Sequence, residues 1–428
     1  MMKKKRRRYR INWDALKPDP RPKRKRRRHI RKSVLIGFLA IVIGISAIVF
    51  VPNYLQEKRL KELGYNQTEI SHIRSSGLTS YILQNKYYSP CLAKAILNNS
   101  FNQKYVALYL VMSEDNMPDE EDFLLYSRLE DKGYETDQLQ NLFQSLSAWE
   151  ITPLLVFDYQ YNEQPYIDDC AANRDQNSTS SFTLSNSYVA NYAKTAEIAS
   201  PDEITVLVNK KNLLAADYVP SDLVAVDESY AIADVQMRSE AASAFQEMCA
   251  AAAGDGAYFY GVLGYRSYED QKSAWETIAL YNGESYAEAN AAKEGASEHQ
   301  SGLAVNIAST YESDKEFTDT EAYQWCKENA ASYGFIERYP FGKESITGFA
   351  AEPDHYRYVG KDIAQAVAAS GLTYDEYYAL YLAPWNDETL KPDSLASNHA
   401  SASASPISTA QAAAAAPSAS SGSALQNR

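Results

Sequence analysis

The chain has 428 residues and a formal net charge of −13, enough length for two folded units plus tails. The charge is unevenly spread: 17 of the 42 Lys/Arg but only two of the 55 Asp/Glu fall in the first 32 residues. An acidic body behind a short basic arm excludes the body as a nucleic-acid-binding surface, so no nucleic acid partner is expected.

The arm covers residues 1–33, with basic runs at Lys3–Arg8 and Arg21–Arg28. Val34 to Val51 then reads VLIGFLAIVIGISAIVFV without a charge. Eighteen such residues rise roughly 27 Å as a helix, close to the hydrocarbon thickness of a bilayer. They show none of the polar stripe that a helix on a soluble core carries. The sequence therefore predicts a transmembrane helix over 34–53. The preceding basic block places the N-terminus in the cytoplasm and everything after the span outside the cell membrane. Phe50-Val51-Pro52-Asn53 lacks the small-x-small pattern of a signal-peptide cleavage site, so the segment reads as an anchor. The basic runs either grip anionic lipid head groups or only set this topology.

Residues 54–199 read as a helical extracytoplasmic region with a faint repeat. Leu63-Gly64-Tyr65-Asn66 with Glu69 recurs as Lys132-Gly133-Tyr134-Glu135 with Gln138. In each copy Gly can close one helix and a capping box can open the next. The tail, 385–428, is Ser/Ala-rich with almost no large apolar residue and cannot bury a core. Cys91, Cys170, Cys249 and Cys326 show no metal-binding spacing; outside the membrane they pair as Cys91 with Cys170 and Cys249 with Cys326, or stay buried as thiols.

Between helical region and tail, residues 200–384 mix strands and helices without a regular βαβ beat. Strands are expected at 204–208, 257–263, 303–308 and 356–359, and helices at 239–253, 268–281 and 320–333, with a last helix from Lys361. The fold class is therefore α+β. Two histidines fall here, each in a dense motif: Ser297-Glu298-His299-Gln300-Ser301-Gly302-Leu303-Ala304-Val305-Asn306 and Glu352-Pro353-Asp354-His355-Tyr356-Arg357-Tyr358. Gly302 permits a tight entry to a strand on which Leu303, Val305 and Ile307 share one face. Asn306 then lies between two alanines on the other face, as in the wall of a cleft.

With Gly264-Tyr265-Arg266-Ser267 ahead of them, and Tyr333-Gly334-Phe335-Ile336 and Arg338-Tyr339-Pro340 between, these motifs resemble the VanY-type D-alanyl-D-alanine carboxypeptidases. That family is related to the lysostaphin and sonic hedgehog zinc fold. The resemblance covers 200–384 and implies a hedgehog/D-Ala-D-Ala-peptidase-like domain that trims peptidoglycan stem peptides. It implies Zn2+ held by His299, Asn306 and His355. It gives Glu352 the role of general base, Arg266 that of stabilising the scissile carbonyl, and substrate binding to Ser297, Gln271 and Tyr339. Three protein ligands leave a metal position for water, the arrangement such hydrolysis needs.

Two positions depart from the family pattern. An aspartate ligand is replaced by Asn306, a neutral oxygen donor in place of an anion. A tryptophan before the last histidine is replaced by Asp354. On a regular strand Asp354 would face away from a metal that His355 faces. Two functions follow: a membrane-anchored zinc carboxypeptidase with an unusual metal site, or a non-catalytic homologue that binds stem peptide or wall partners. Retention of Glu352, Arg266 and both histidines favours the enzyme.

Overall fold

The computed structural model describes residues 52–157, 163–173, 195–232 and 234–384. The basic arm, residues 34–51 of the expected membrane span and the tail 385–428 lie outside the described residues. Among the described residues no helix is long and apolar enough to cross a membrane. The chain parts into two compact units, one ending at Tyr88 and the other starting at Ser89. This boundary falls inside the stretch that the sequence groups as one helical region, 54–199.

In the first unit Asn66 caps the helix Gln67–Ser75, its Oδ1 accepting from the Thr68 and Glu69 backbone amides, while Glu69 returns the bond to the Asn66 amide. The second copy of the repeat sits in the other unit, where Glu135 and Gln138 form the matching capping box before the helix Thr136–Ser145. Gly64 and Gly133 both have φ above 90°, which is why glycine recurs there.

The helices between Pro90 and Asn173 belong to the second unit with everything that follows. Arg128 explains part of this: its guanidinium donates to the carbonyls of Leu380, Ala383 and Pro384 at 3.0, 2.8 and 2.9 Å. Glu121 accepts from the Tyr381 hydroxyl in the same region.

The α+β domain is built on an antiparallel sheet of order β5-β6-β8-β7, formed by Phe259–Leu263, Ala304–Ser309, Glu352–Tyr358 and Phe335–Tyr339. Two small two-stranded sheets precede it: β1 (Ala196–Glu197) pairs with β2 (Asn212–Leu213), and β3 (Leu223–Ala225) with β4 (Gln236–Arg238). The helix Ser239–Gly254 lays Phe245 and Met248 against Val305, Ile307, Phe335 and Tyr356 of the sheet. Alternation along β6 therefore holds: Val305 and Ile307 enter the core, and Asn306 faces the other way.

Two expectations are corrected. Residues 204–208 form no strand, although Val206, Leu207 and Val208 are buried. Their carbonyls are taken by side chains: Arg357 Nη2 donates to Ile204 O and Val206 O at 3.0 and 2.8 Å, and the Tyr374 hydroxyl to Thr205 O at 2.6 Å. The last strand is longer than 356–359 and starts at Glu352, so the whole second histidine motif lies on it. Strand β7 was not expected at all. All four cysteines are buried and lie outside any disulfide, so neither expected pair forms; Cys91 Sγ lies 3.4 Å from Met117 Sδ.

Candidate active site

Arg266, Gln271, Ser297, His299, Asn306, Tyr339, Glu352 and His355, the eight residues singled out in the sequence, line one cleft of about 180 Å³. The first motif is shaped by its glycines. At Gly264 a Cβ would sit 2.2 Å from the Gln236 carbonyl, so only glycine fits. The Gly264 carbonyl lies 2.7 Å from His299 Nδ1. A carbonyl only accepts, so Nδ1 carries the proton and Nε2 keeps its lone pair. Gly302, at φ 68°, turns the chain from the short helical turn Glu298–Ser301 into β6. Ser297 caps that turn, its hydroxyl accepting from the His299 amide at 3.3 Å.

Asn306 on β6 is the register partner of His355 on β8, which brings both onto the cleft face. The His299 and His355 rings lie 4.9 Å apart, nearly edge to face. Tyr339 packs its ring edge-on to His355 at 5.0 Å and to Phe349 at 5.3 Å, fixing the imidazole plane. Glu352, at the start of β8, places Oε2 3.3 Å from His355 Nδ1. On the opposite wall Arg266 donates from Nη1 to Gln271 Oε1 at 3.1 Å, and Gln271 Nε2 donates to Ala292 O at 2.7 Å. Both ends of the Gln271 amide are thus used inside the protein, and it positions Arg266 rather than presenting a free amide to a ligand.

Behind the histidines lies a buried ionic cluster to which the sequence reading gave no role. Glu298 Oε1 accepts from Arg338 Nε at 2.8 Å and Arg357 Nη1 at 3.0 Å. Arg338 also donates to Asp375 Oδ2 at 2.6 Å, and Asp375 Oδ1 accepts from Asn209 Nδ2 at 2.8 Å. The other Glu298 oxygen faces His355 Nε2 at 3.6 Å. Burial would raise the Glu298 carboxyl, but the two guanidiniums outweigh it and hold the group well below the ordinary carboxylate range. His355 feels the result: burial works against its charge, yet Glu298 and Glu352 raise it to about 9. His299 goes the other way, down to about 3, through burial and then the charges of His355 and Arg266. A dense Glu-His and Arg-Tyr content around the motifs was the one sequence signal for this cluster. Lys210, which matches the family pattern but carries no role in the sequence analysis, donates from its ammonium to Glu288 O and Gly348 O and ties these two stretches together.

The donor set fits a metal ion. His299 Nε2 carries a lone pair, His355 faces Glu298 with Nε2 and Glu352, on the cleft, with Nδ1, and Asn306 Oδ1 is buried without a hydrogen-bond partner. Such orphaned acceptors are rare in folded proteins and ask for a ligand. No cluster of three His, Cys, Asp or Glu suited to a metal occurs among the described residues; the third donor of this set is an amide.

The family model for VanY, D-alanyl-D-alanine carboxypeptidase, matches residues 234–361. The putative carboxypeptidase YodJ of Bacillus subtilis is 39% identical over 209 residues, which span 46% of this chain and 77% of that protein. The bifunctional D-Ala-D-Ala dipeptidase and D-Ala-D-Ala carboxypeptidase VanXYC of Enterococcus gallinarum is 34% identical over 177 residues, 40% of this chain and 92% of that one. Among solved structures, a vancomycin-resistance D,D-pentapeptidase VanY mutant in complex with Zn(II) is 34% identical, covering 40% of this chain and 97% of that chain with a TM-score of 0.36.

Proposed function

Because the chain belongs to the VanY family of D-alanyl-D-alanine carboxypeptidases, we propose that it hydrolyses the terminal D-alanine from peptidoglycan stem peptides with a zinc ion held by His299, Asn306 and His355. The observation that carries this reading is the convergence of two histidines, an orphaned amide oxygen, a carboxylate and a braced arginine on one cleft. Imidazole nitrogens with an oxygen donor suit zinc, which when bound supplies Lewis acidity to the scissile carbonyl and lowers the pKa of water.

The chain's own residues do the rest. Glu352, half-exposed at the head of β8, is placed to take the proton of the attacking water and return it to the amine of the departing D-alanine. Arg266, held by Gln271, aims positive charge at the carbonyl oxygen as it becomes negative, in a half-buried position where that charge counts for more than in water. Glu298 and Tyr339 fix the His355 ring, so the donor geometry exists before any ligand arrives. Ser297 lines the same cleft as His299 and is assigned to binding of the peptide.

The uncharged segment 34–51 behind its basic arm supports anchoring at the outer face of the cell membrane, where wall precursors emerge. A binder without catalysis is the second reading, favoured only by the neutral Asn306. Release of D-alanine from a stem pentapeptide, followed by mass spectrometry with and without zinc, tests the proposal. A protein that binds the pentapeptide but leaves it intact in zinc would support the binder.

A further inference from the structure

Asp354, bonded to Asn306 beside the cleft, is a carboxylate to which the mechanism assigns nothing. Strict strand alternation would turn it from His355, but β8 is not regular here. Across the pair β7–β8, Tyr339 faces Glu352 and Glu337 faces Tyr356, so two steps along β7 span four along β8. The bulge holds Pro353, Asp354 and His355, and a bulge re-aims side chains. Asp354 Oδ2 consequently accepts from Asn306 Nδ2 at 3.0 Å, without itself lining the cleft.

This bond fixes which end of the amide faces the histidines. The terminal torsion of asparagine is close to two-fold, so its partners decide between the two orientations. An ionised carboxylate offers only acceptors, so Nδ2 must lie on Asp354 and Oδ1 on the opposite branch. That branch is where Oδ1 is found, buried and with no partner. Turned over, the amide would set its Nδ2 hydrogens where a cation has to sit. The same bond, from an amide N–H to a carboxylate, draws electron density toward the free oxygen and puts a negative charge directly behind it.

We propose that Asn306 and Asp354 form one composite metal-ligand arm, in which the carboxylate orients and polarises the amide so that a neutral side chain can serve a divalent cation. The proposal rests on the reading of His299, Asn306 and His355 as the metal site.

The test uses the full-length chain, stripped of metal with a chelator and titrated with zinc alone, by calorimetry or competition with a zinc-binding dye. Asp354→Asn is expected to weaken zinc binding on the order of 10- to 100-fold, as loss of a partner behind a metal ligand does. The exchanged pair, Asn306→Asp with Asp354→Asn, keeps a hydrogen bond between the two side chains and moves the carboxylate to the cleft side; it is expected to bind zinc at least as well as the unaltered chain. Melting curves of the metal-free forms show that each variant folds. Equal zinc affinity for the unaltered chain and Asp354→Asn would overturn the composite arm and leave the metal site standing. No zinc on the unaltered chain, with one ion on the exchanged pair, would overturn both.

Discussion

Glu298→Gln removes one charge from the buried cluster behind His355 and changes almost nothing in shape. The Glu298 side chain is 0% exposed, as are those of Arg338 and Arg357. Breaking a buried ion pair costs about 3–5 kcal/mol, because the surviving charge stays desolvated. Two features place this case at the lower end. Arg338 keeps its bond to Asp375, and Arg357 keeps the carbonyls of Ile204, Val206 and Tyr358. The glutamine oxygen can also still accept from both guanidiniums. The expected loss is therefore about 3 kcal/mol, a fall in Tm of roughly 6–12 °C for a domain of this size. Glu298→Ala should cost more, since it also opens a cavity and strands Arg357 Nη1 and Arg338 Nε. Urea and thermal unfolding in chelator measure both. A loss below about 1 kcal/mol for Glu298→Gln would refute the claim that this charge cluster holds the site together.

Further outcomes follow from the same geometry. Gly264→Ala would drive a methyl to 2.2 Å from the Gln236 carbonyl, so the backbone that holds His299 must shift; reduced stability and weaker zinc binding together are expected, and an unchanged melting curve would contradict the close approach. Arg266→Ala should lower kcat about 10²–10³-fold with a smaller change in KM, and Gln271→Leu, which only releases Arg266, should lower it by less; equal effects would place Gln271 on the substrate. In the metal-free protein the folded pKa of His355, about 9, lies above its unfolded value near 6.5. Its contribution to stability is thus complete below pH 6.5 and is lost at about 1.4 kcal/mol per pH unit as pH rises toward 9. An NMR titration should find the His355 midpoint near 9 and His299 still neutral at pH 5; a His355 midpoint near 6.5 would contradict the assigned environment.

The motifs around His299 and His355 were legible because each is local: a glycine that admits close backbone approach, and a strand whose alternation puts Asn306 opposite the core. Their convergence with Arg266 and Gln271 followed from the family resemblance rather than from periodicity. Strand β7 escaped because Phe335-Ile336-Glu337-Arg338-Tyr339 is covered on both faces, so no alternation marks it. The apolar run at 204–208 misled for the opposite reason, since its backbone bonds go to Arg357 and Tyr374 and not to a neighbouring strand. Glu298, Arg338 and Asp375 read singly as ordinary charges, and only the packed chain reveals that they share one buried network. The bulge that brings Asp354 to Asn306 depends on the pairing of β7 with β8, which no local signal encodes.

The central claim is that the cleft cuts. The most direct measurement is D-alanine release from a pentapeptide ending in D-Ala-D-Ala by the full-length chain in zinc, beside Glu352→Gln and a chelator-treated sample. Release by the unaltered chain, lowered about 10²–10⁴-fold in Glu352→Gln at full zinc content and recovered in the chelated sample on adding zinc, is the predicted result. Release that persists unchanged in Glu352→Gln, or no release by a zinc-loaded unaltered chain, would contradict it.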